Sequence, residues 1–338
     1  MASVASTDGG PGPTSAPTGP DGLRPETRDV SAKAAGTFGE TAFRTLCFAA
    51  SMVLMIGLAA LIVSLAIGGW PAFAKFGFSF FTSSEWDPVA DRYGAAGPIA
   101  GTLITAFLAL LMALPLAIGV AIFLTEFCPP RIAQPLGMAV ELLAGIPSIV
   151  YGMWGLFVLA PWFAAHVQAP LAASITPGSL LERAFAGVPN GANIFTASLI
   201  LAVMILPYMA SVFRELLMAV PPQVREAAYG IGSTSYEVVG SILIPYVRTS
   251  AIGAIMLGLG RALGETMAVT FIIGNSHAFP KSLFDSGSTI ASTIANEFTE
   301  ATGELHVSAL IALGFVLFAI TFGSIAGARL LLGQDKYK

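Results

Sequence analysis

Charge is scarce in this sequence. Only 11% of its 338 residues are Asp, Glu, Lys or Arg, against about 25% in a soluble globular domain, while 55% are hydrophobic. That balance excludes an ordinary soluble fold and indicates a polytopic membrane protein. Lys and Arg are scattered and the net charge is −4, which excludes nucleic-acid binding, because that needs a concentrated basic face. The two cysteines, Cys47 and Cys128, fit neither a zinc spacing nor a disulfide framework and read as packing residues. His166, His277 and His306 lie far apart in sequence, so no metal site is expected and each reads as a surface or interface residue. The hydroxyl residues have no accompanying His and carboxylate arrangement, so no nucleophilic active site is expected. Gly-Lys does not occur, which removes the Gly-x-x-x-x-Gly-Lys-Ser/Thr phosphate loop and with it ATP hydrolysis by this chain.

Long uncharged runs are what the sequence does have. A spanning helix needs about 20 mostly apolar residues; four long gaps between charges, an apolar stretch from Val247 with two charges in its middle and a last run from Leu305 to Ala328 give six spans, at 44–68, 98–124, 136–160, 194–217, 248–275 and 306–330. Residues 1–40 are rich in Gly, Pro, Ser and Thr without an apolar core; they read as a disordered tail with no secretory signal. Lys and Arg are retained on the cytoplasmic side. With the N-terminus inside, Arg24, Arg28, Lys33, Arg44, Arg131, Arg214, Arg225, Arg248, Arg329, Lys336 and Lys338 fall inside, against Lys75, Arg92, Arg183 and Lys281 outside. Both termini are therefore expected in the cytoplasm of a multi-pass cell-membrane protein. Outer loops carry Glu85, Asp87, Asp91, Glu182, Asp285, Glu297, Glu300 and Glu304, which read as solvated carboxylates. Pro115, Pro147 and Pro207 fall inside the second, third and fourth predicted spans, where kinks are expected.

The loop between the fourth and fifth spans, residues 219–245, is patterned. Pro221 and Pro222 suit a first helical turn, Gly230 and Gly232 suit its end, and Thr234 with Glu237 forms a capping-box pattern for a second short helix that Pro245 is expected to stop. Helix, glycine elbow and helix make a compact knob. The spacing Glu226-Ala227-Ala228, Gly232, Ile242 and Ile244-Pro245 resembles the EAA loop of permease subunits in binding-protein-dependent ABC importers, with Ile244 where that pattern usually has Leu. The resemblance implies that Arg225, Glu226, Ala227, Ala228, Gly232, Ile242 and Pro245 couple this chain to an ATPase subunit.

Within the fifth predicted span, Arg261 and Glu265 stand four residues apart, on one face of a continuous helix. An Arg at the bilayer centre costs about 2.5–3.5 kcal/mol on insertion scales, so the pair is expected to face the protein interior. Small residues at Ala254, Gly258 and Ala262 and at Gly260, Gly264 and Ala268 let neighbouring helices approach closely. Arg offers a planar fork that matches phosphate or carboxylate oxygens, which makes an anion the natural substrate. Glu265 would neutralise Arg261 in the empty state and accept a hydrogen bond from a protonated phosphate oxygen, disfavouring sulfate.

The segment Gly260-Arg261-Ala-Leu-Gly264-Glu265-Thr266, with Glu141-Leu-Leu-Ala-Gly-Ile-Pro147-Ser148-Ile-Val-Tyr151-Gly152, looks like the permeases of high-affinity phosphate import systems, a likeness that covers most of residues 41–338. It implies an all-α membrane protein with the six-helix type I ABC importer permease fold, and a substrate pathway that includes Arg261, Glu265 and Thr266. It also implies a second, similar permease chain, two ATPase subunits that carry ATP and Mg, an external phosphate-binding protein, and no cofactor in this chain. Import of another oxyanion, such as sulfate or molybdate, and an ion-coupled carrier are the alternatives.

Overall fold

The computed structural model describes residues 37–175, Ser179 and 184–334. The rest of the expected N-terminal tail, together with Glu182, Arg183, Lys336 and Lys338, lies outside the described residues. Six helices are long and apolar enough to cross a membrane, Gly39–Phe76, Ala96–Phe127, Ser148–Ser174, Ile194–Met218, Ser235–Leu263 and Glu304–Leu330, and the multi-pass reading stands. The chain divides into a first unit ending at Leu58 and a second from Ala59 onward. Among the described residues the first unit holds the opening turns of α1 (Thr37–Phe76), whose apolar side chains, Phe43, Leu46 and Met52 among them, are exposed.

In the second unit, after the short helix α2 (Ser79–Thr82), the core forms where α3 (Ala96–Phe127) packs on α6 (Ile194–Met218). Ala106, Ala109, Ala113, Ala117 and Ala121 recur every three or four residues on α3 and are all at most 1% exposed. Methyl-sized side chains on one stripe let two backbones approach closely, and α6 fills the seam with Ile200, Leu201, Met204, Ile205 and Met209. The end of α1 packs on α11 (Glu304–Gln334) in the same manner. A Cβ on Gly69 would meet the Ala312 Cα at 2.9 Å, and Ser308 Oγ, which accepts from Ala72 N–H at 3.1 Å, donates to Gly68 C=O at 2.8 Å.

Four wide π turns interrupt the helices among the described residues: Phe123–Phe127, Gly155–Leu159, Ala164–Gln168 and Val239–Leu243. Each ends two residues before a proline, at Pro129, Pro161, Pro170 and Pro245 respectively. A proline supplies no N–H and its ring crowds the carbonyl one turn back; at the last three sites a wider turn relieves that crowding while the chain goes on winding, whereas after Phe123–Phe127 the extended Cys128 ends the helix. This explains one departure from the sequence reading. Pro245 does not stop the second loop helix, which passes through the π turn and becomes the fifth span, α8 (Ser235–Leu263).

Two span boundaries are also corrected. The third predicted span, 136–160, merges two helices: α4 (Pro130–Ala144) and α5 (Ser148–Ser174). Pro147 stands just before α5 instead of kinking it, because the residue preceding a proline is driven out of the helical region; Pro115 and Pro207 do lie inside helices. The fifth predicted span, 248–275, starts thirteen residues early, at Ser235, and ends at Leu263, with a short helix α9 (Met267–Thr270) following after a break.

At the end of the unit away from residues 219–245, a hairpin of β1 (Trp86–Asp87) and β2 (Arg92–Tyr93), the 276–289 loop and α10 (Ile290–Glu297) form a lid of irregular structure. It is held to α3 by tight backbone contact, since a side chain on Gly97 or Gly101 would strike the His277 or Ser288 carbonyl.

Candidate functional site

The break after α8 governs the geometry of Arg261 and Glu265. The helix ends at Leu263 with Gly264 as its cap, so the turn that would have carried Glu265 onto the face of Arg261 is missing. Among the described residues the two side chains form no ion pair. Glu265 Oε1 instead accepts from the Ala268 N–H at 3.1 Å, satisfying a donor that the start of α9 would otherwise leave open. Thr266 C=O accepts from the Thr270 hydroxyl at 2.7 Å, and Asn275 Nδ2 donates to Thr270 C=O at 3.1 Å. Residues 264–275 are thus an interrupted stretch in which the side chains of Glu265, Thr270 and Asn275 each bond a nearby backbone group. In a bilayer, non-helical backbone persists only where protein buries it or water lines it.

Arg261 occupies the last turn of α8 and is exposed on the surface of this chain. Its guanidinium carbon lies 5.4 Å from the centroid of the Tyr208 ring, a cation–π distance. Tyr208 is about 15 Å along α6 from its Met218 end at 1.5 Å per residue, which puts the arginine near mid-depth. On the other side of α8 the stripe of small residues is used as expected: Ala254 and Ala262 are buried, and a Cβ on Gly258 would press Met209 Sδ at 2.8 Å. The charged side of α8 is therefore open instead of enclosed in a buried strip, with all five guanidinium donors uncommitted to any carboxylate among the described residues.

The second quoted segment converges on the same place. The Tyr151 hydroxyl donates to Leu143 C=O at 3.0 Å across the Gly145–Pro147 break, linking α4 to α5. A Cβ on Gly152 would lie 2.9 Å from the Ala268 Cα, so the missing side chain is what lets α5 sit against α9. Glu141 is on α4, outside the third span, and pairs with Arg214 of α6 at 3.1 Å. Sequence reasoning missed Tyr208; its signal was the polar ring directly after Pro207 in an apolar span.

The loop 219–245 keeps its elbow. Helix α7 (Pro222–Gly230) is followed by Gly232 at φ +89°, a conformation that side-chain-bearing residues avoid, and the Thr234–Glu237 capping box forms with both reciprocal bonds. Glu226, Ala227, Gly232 and Pro245 are exposed, Ala228 is buried and Ile242 is half-buried. Tyr229, Ile231 and Tyr236 extend the exposed face. Arg225 turns the other way: its Nη1 lies 3.0 Å from Glu126 Oε1 at the end of α3, and its Nη2 donates to Leu217 C=O at the end of α6. The arginine anchors α7 onto two spans.

At the opposite end, two of the three histidines, His277 and His306, come together, while His166 stacks on Trp162. Glu297 Oε1 lies 3.0 Å from His277 Nε2, and Glu297 Oε2 lies 2.9 Å from His306 Nε2; Trp86 Nε1 donates to Oε2 at 2.7 Å. Burial raises the Glu297 carboxyl, but the donors His277, Trp86 and His306 outweigh it and hold the group below its ordinary value. His306 is only 8% exposed, so it is part of the packed lid and not a surface residue.

Residues 113–331 match the family model of the binding-protein-dependent transport system inner membrane component. The chain is 52% identical over 293 residues to the phosphate transport system permease protein PstC of Mesorhizobium japonicum, covering 86% of this chain and 89% of that one. To the protein of the same name from Haemophilus influenzae it is 50% identical over 296 residues, 88% and 94% of the two chains. Among solved structures, a bacterial alginate ABC transporter in complex with an alginate pentasaccharide-bound periplasmic protein superposes with a TM-score of 0.55 at 15% identity, over 87% of this chain and 96% of that one; at that identity the likeness is one of fold.

Proposed function

Because the chain belongs to the binding-protein-dependent transport system inner membrane components, we propose that it is the permease subunit of an ATP-driven phosphate importer. The observation that carries this reading is Arg261, an arginine near mid-depth beside a break in the fifth span, with its guanidinium free of any carboxylate among the described residues. A planar fork in that setting matches the oxygens of phosphate, and the relatives that share about half of this sequence are phosphate transport permeases by name.

In this reading the chain works beside a second, similar permease. Two ATPase subunits bring ATP and Mg, and an external phosphate-binding protein delivers substrate to the face away from the 219–245 loop. Both termini and that loop are cytoplasmic, in keeping with the bias of Lys and Arg. The exposed residues Glu226, Ala227, Gly232 and Pro245, with the half-buried Ile242, meet the ATPase, while Ala228 and Arg225 hold α7 to the spans so that its movement is passed on. Closure of the ATPase pair rotates α8 through the elbow and exposes Arg261 to one side of the membrane; hydrolysis returns it to the other. Glu265, committed to Ala268 N–H, shapes the break in place of neutralising Arg261, and Thr266 lines it.

The test is uptake by the assembled complex in vesicles, with labelled phosphate, the binding protein outside and ATP inside. Uptake that needs both partners and is not reduced by a hundredfold excess of sulfate supports the reading. Uptake that survives loss of the ATPase, or that sulfate abolishes, overturns it.

A further inference from the structure

From Arg261 towards the 219–245 end, a groove of about 340 Å³ runs between α6, α8 and α11. Two of its walls continue the contact between Arg261 and Tyr208. On α6, Tyr208, Val212 and Leu216 recur every four residues, and on α8 Leu257 and Ser250 stand four and eleven residues before Arg261, so each set lies along one helix face. Tyr208 and Arg261 meet at the head of these two lines, and Val212, Leu216, Leu257 and Ser250 line the groove. The groove is therefore the extension of the open side of α8. Its third wall is α11, through Ile325 and Arg329.

A Cβ on Gly260 would lie 3.8 Å from Ile325 Cδ1, which sets Ile325 level with the turn that carries Arg261. Arg329, four residues further along α11, is about 6 Å nearer the 219–245 end. Its side chain is exposed and enters no ion pair or hydrogen bond among the described residues. Of the side chains that line the groove, only Ser250 and Arg329 are polar and none is acidic. A guanidinium with no carboxylate to meet, on a wall that otherwise offers one hydroxyl, has an anion as its complement.

We propose that Arg329 is a second anion-binding group of the pathway, which receives phosphate after Arg261 and holds it at the cytoplasmic mouth before release. The inference rests on the importer reading above, which supplies the anion and puts the 219–245 end in the cytoplasm. One guanidinium on an open, largely apolar wall binds weakly. Weak binding suits an exit, because passage needs sites favourable enough to enter and loose enough to leave. A lipid headgroup carries the same phosphate chemistry, and the experiment separates the two sources.

The assembled complex is placed in nanodiscs of phosphatidylcholine alone, with Cys47→Ser and Cys128→Ser as background and Leu257→Cys as a reporter in the groove. Modification by an anionic and by a cationic methanethiosulfonate is measured, each relative to its rate on a small free thiol. The arginines are expected to favour the anionic reagent about tenfold. Arg329→Gln is expected to remove most of that preference and Arg329→Lys to keep it. Arg248→Gln, which removes an exposed arginine of α8 outside the groove lining, is expected to leave it unchanged. Inorganic phosphate at about 10 mM is expected to slow modification about threefold against chloride of equal ionic strength, and Arg329→Gln to abolish that protection. In vesicles, Arg329→Gln is expected to lower the maximal rate of phosphate uptake about fivefold, with little change in the loaded binding protein needed for half of it.

A thiol that no reagent reaches, that ignores reagent charge or that phosphate does not protect overturns the exit site, while phosphate uptake by the wild type keeps the importer reading. An arginine that only anchors α11 at the membrane surface gives that result. Protection by added phosphatidylglycerol in place of phosphate assigns Arg329 to a lipid headgroup and also overturns the site. Wild-type uptake that needs neither the ATPase nor the binding protein overturns the importer reading and the inference with it.

Discussion

Arg225 and Glu126 meet at 3.0 Å where the loop helix crosses the end of the second span, and the carboxylate side chain is only 4% exposed. The pair, with the bond from Arg225 to Leu217 C=O, ties α7 to the core built by α3 and α6.

Removing one member of such a pair strands the other charge, at a cost of about 3 kcal/mol. Arg225→Ala is therefore expected to lower stability by about that amount in detergent unfolding and to reduce phosphate uptake more than ATP hydrolysis. The Arg225→Met/Glu126→Leu double variant, which buries no charge, is expected to recover most of the stability but not the coupling.

Gly152 is a spacer. An added methyl would lie 2.9 Å from the Ala268 backbone and 3.0 Å from the Phe271 ring, so Gly152→Ala must move α5 away from α9, at a cost of about 1–3 kcal/mol. Uptake is expected to fall by at least tenfold with the complex still assembled, as judged by size-exclusion chromatography.

Gly232 has open space around it but sits at φ +89°. Gly232→Ala is therefore limited to backbone strain, about 1 kcal/mol, and is expected to shift the unfolding midpoint modestly while Gly230→Ala, at a helical residue with nothing within 4 Å, leaves it unchanged or raises it.

The Glu297 carboxyl titrates below its ordinary value of 4.5 because the three N–H donors outweigh burial. A group depressed in the folded state contributes stability above its unfolded value, and that contribution is lost as the pH falls through the folded one. The lid is expected to loosen below about pH 4.5. Fluorescence of Trp86, with the other three tryptophans replaced by Phe, reports it, and Glu297→Gln is expected to remove that step from the profile.

How far these features could be read in the sequence depends on whether the signal was local. The capping box at Thr234 and Glu237 was, as were the first, second, fourth and sixth spans, each centred on a long gap between charges. The third failed because Pro147 reads equally well as a kink within a helix or as the start of the next, and only the Tyr151–Leu143 hydrogen bond distinguishes them. Pro245 was misjudged because a π turn absorbs it, a device that leaves no residue signature beyond the proline itself. Arg261 and Glu265 were found as a pair by spacing, and spacing is valid only while the helix lasts; Gly264 was the available warning. Glu126 with Arg225, and Glu297 with His277 and His306, are brought together by tertiary packing across spans and were out of reach of any local pattern.

The account depends most on Arg261 as the group that meets the transported anion. The direct test is phosphate uptake by assembled Arg261→Lys and Arg261→Ala complexes, alongside ATP hydrolysis stimulated by the binding protein. Arg261→Ala is expected to lose uptake by more than a hundredfold while stimulated hydrolysis persists, and Arg261→Lys, which keeps the charge but not the fork, is expected to retain a small fraction. Uptake by Arg261→Ala at the wild-type rate contradicts the account.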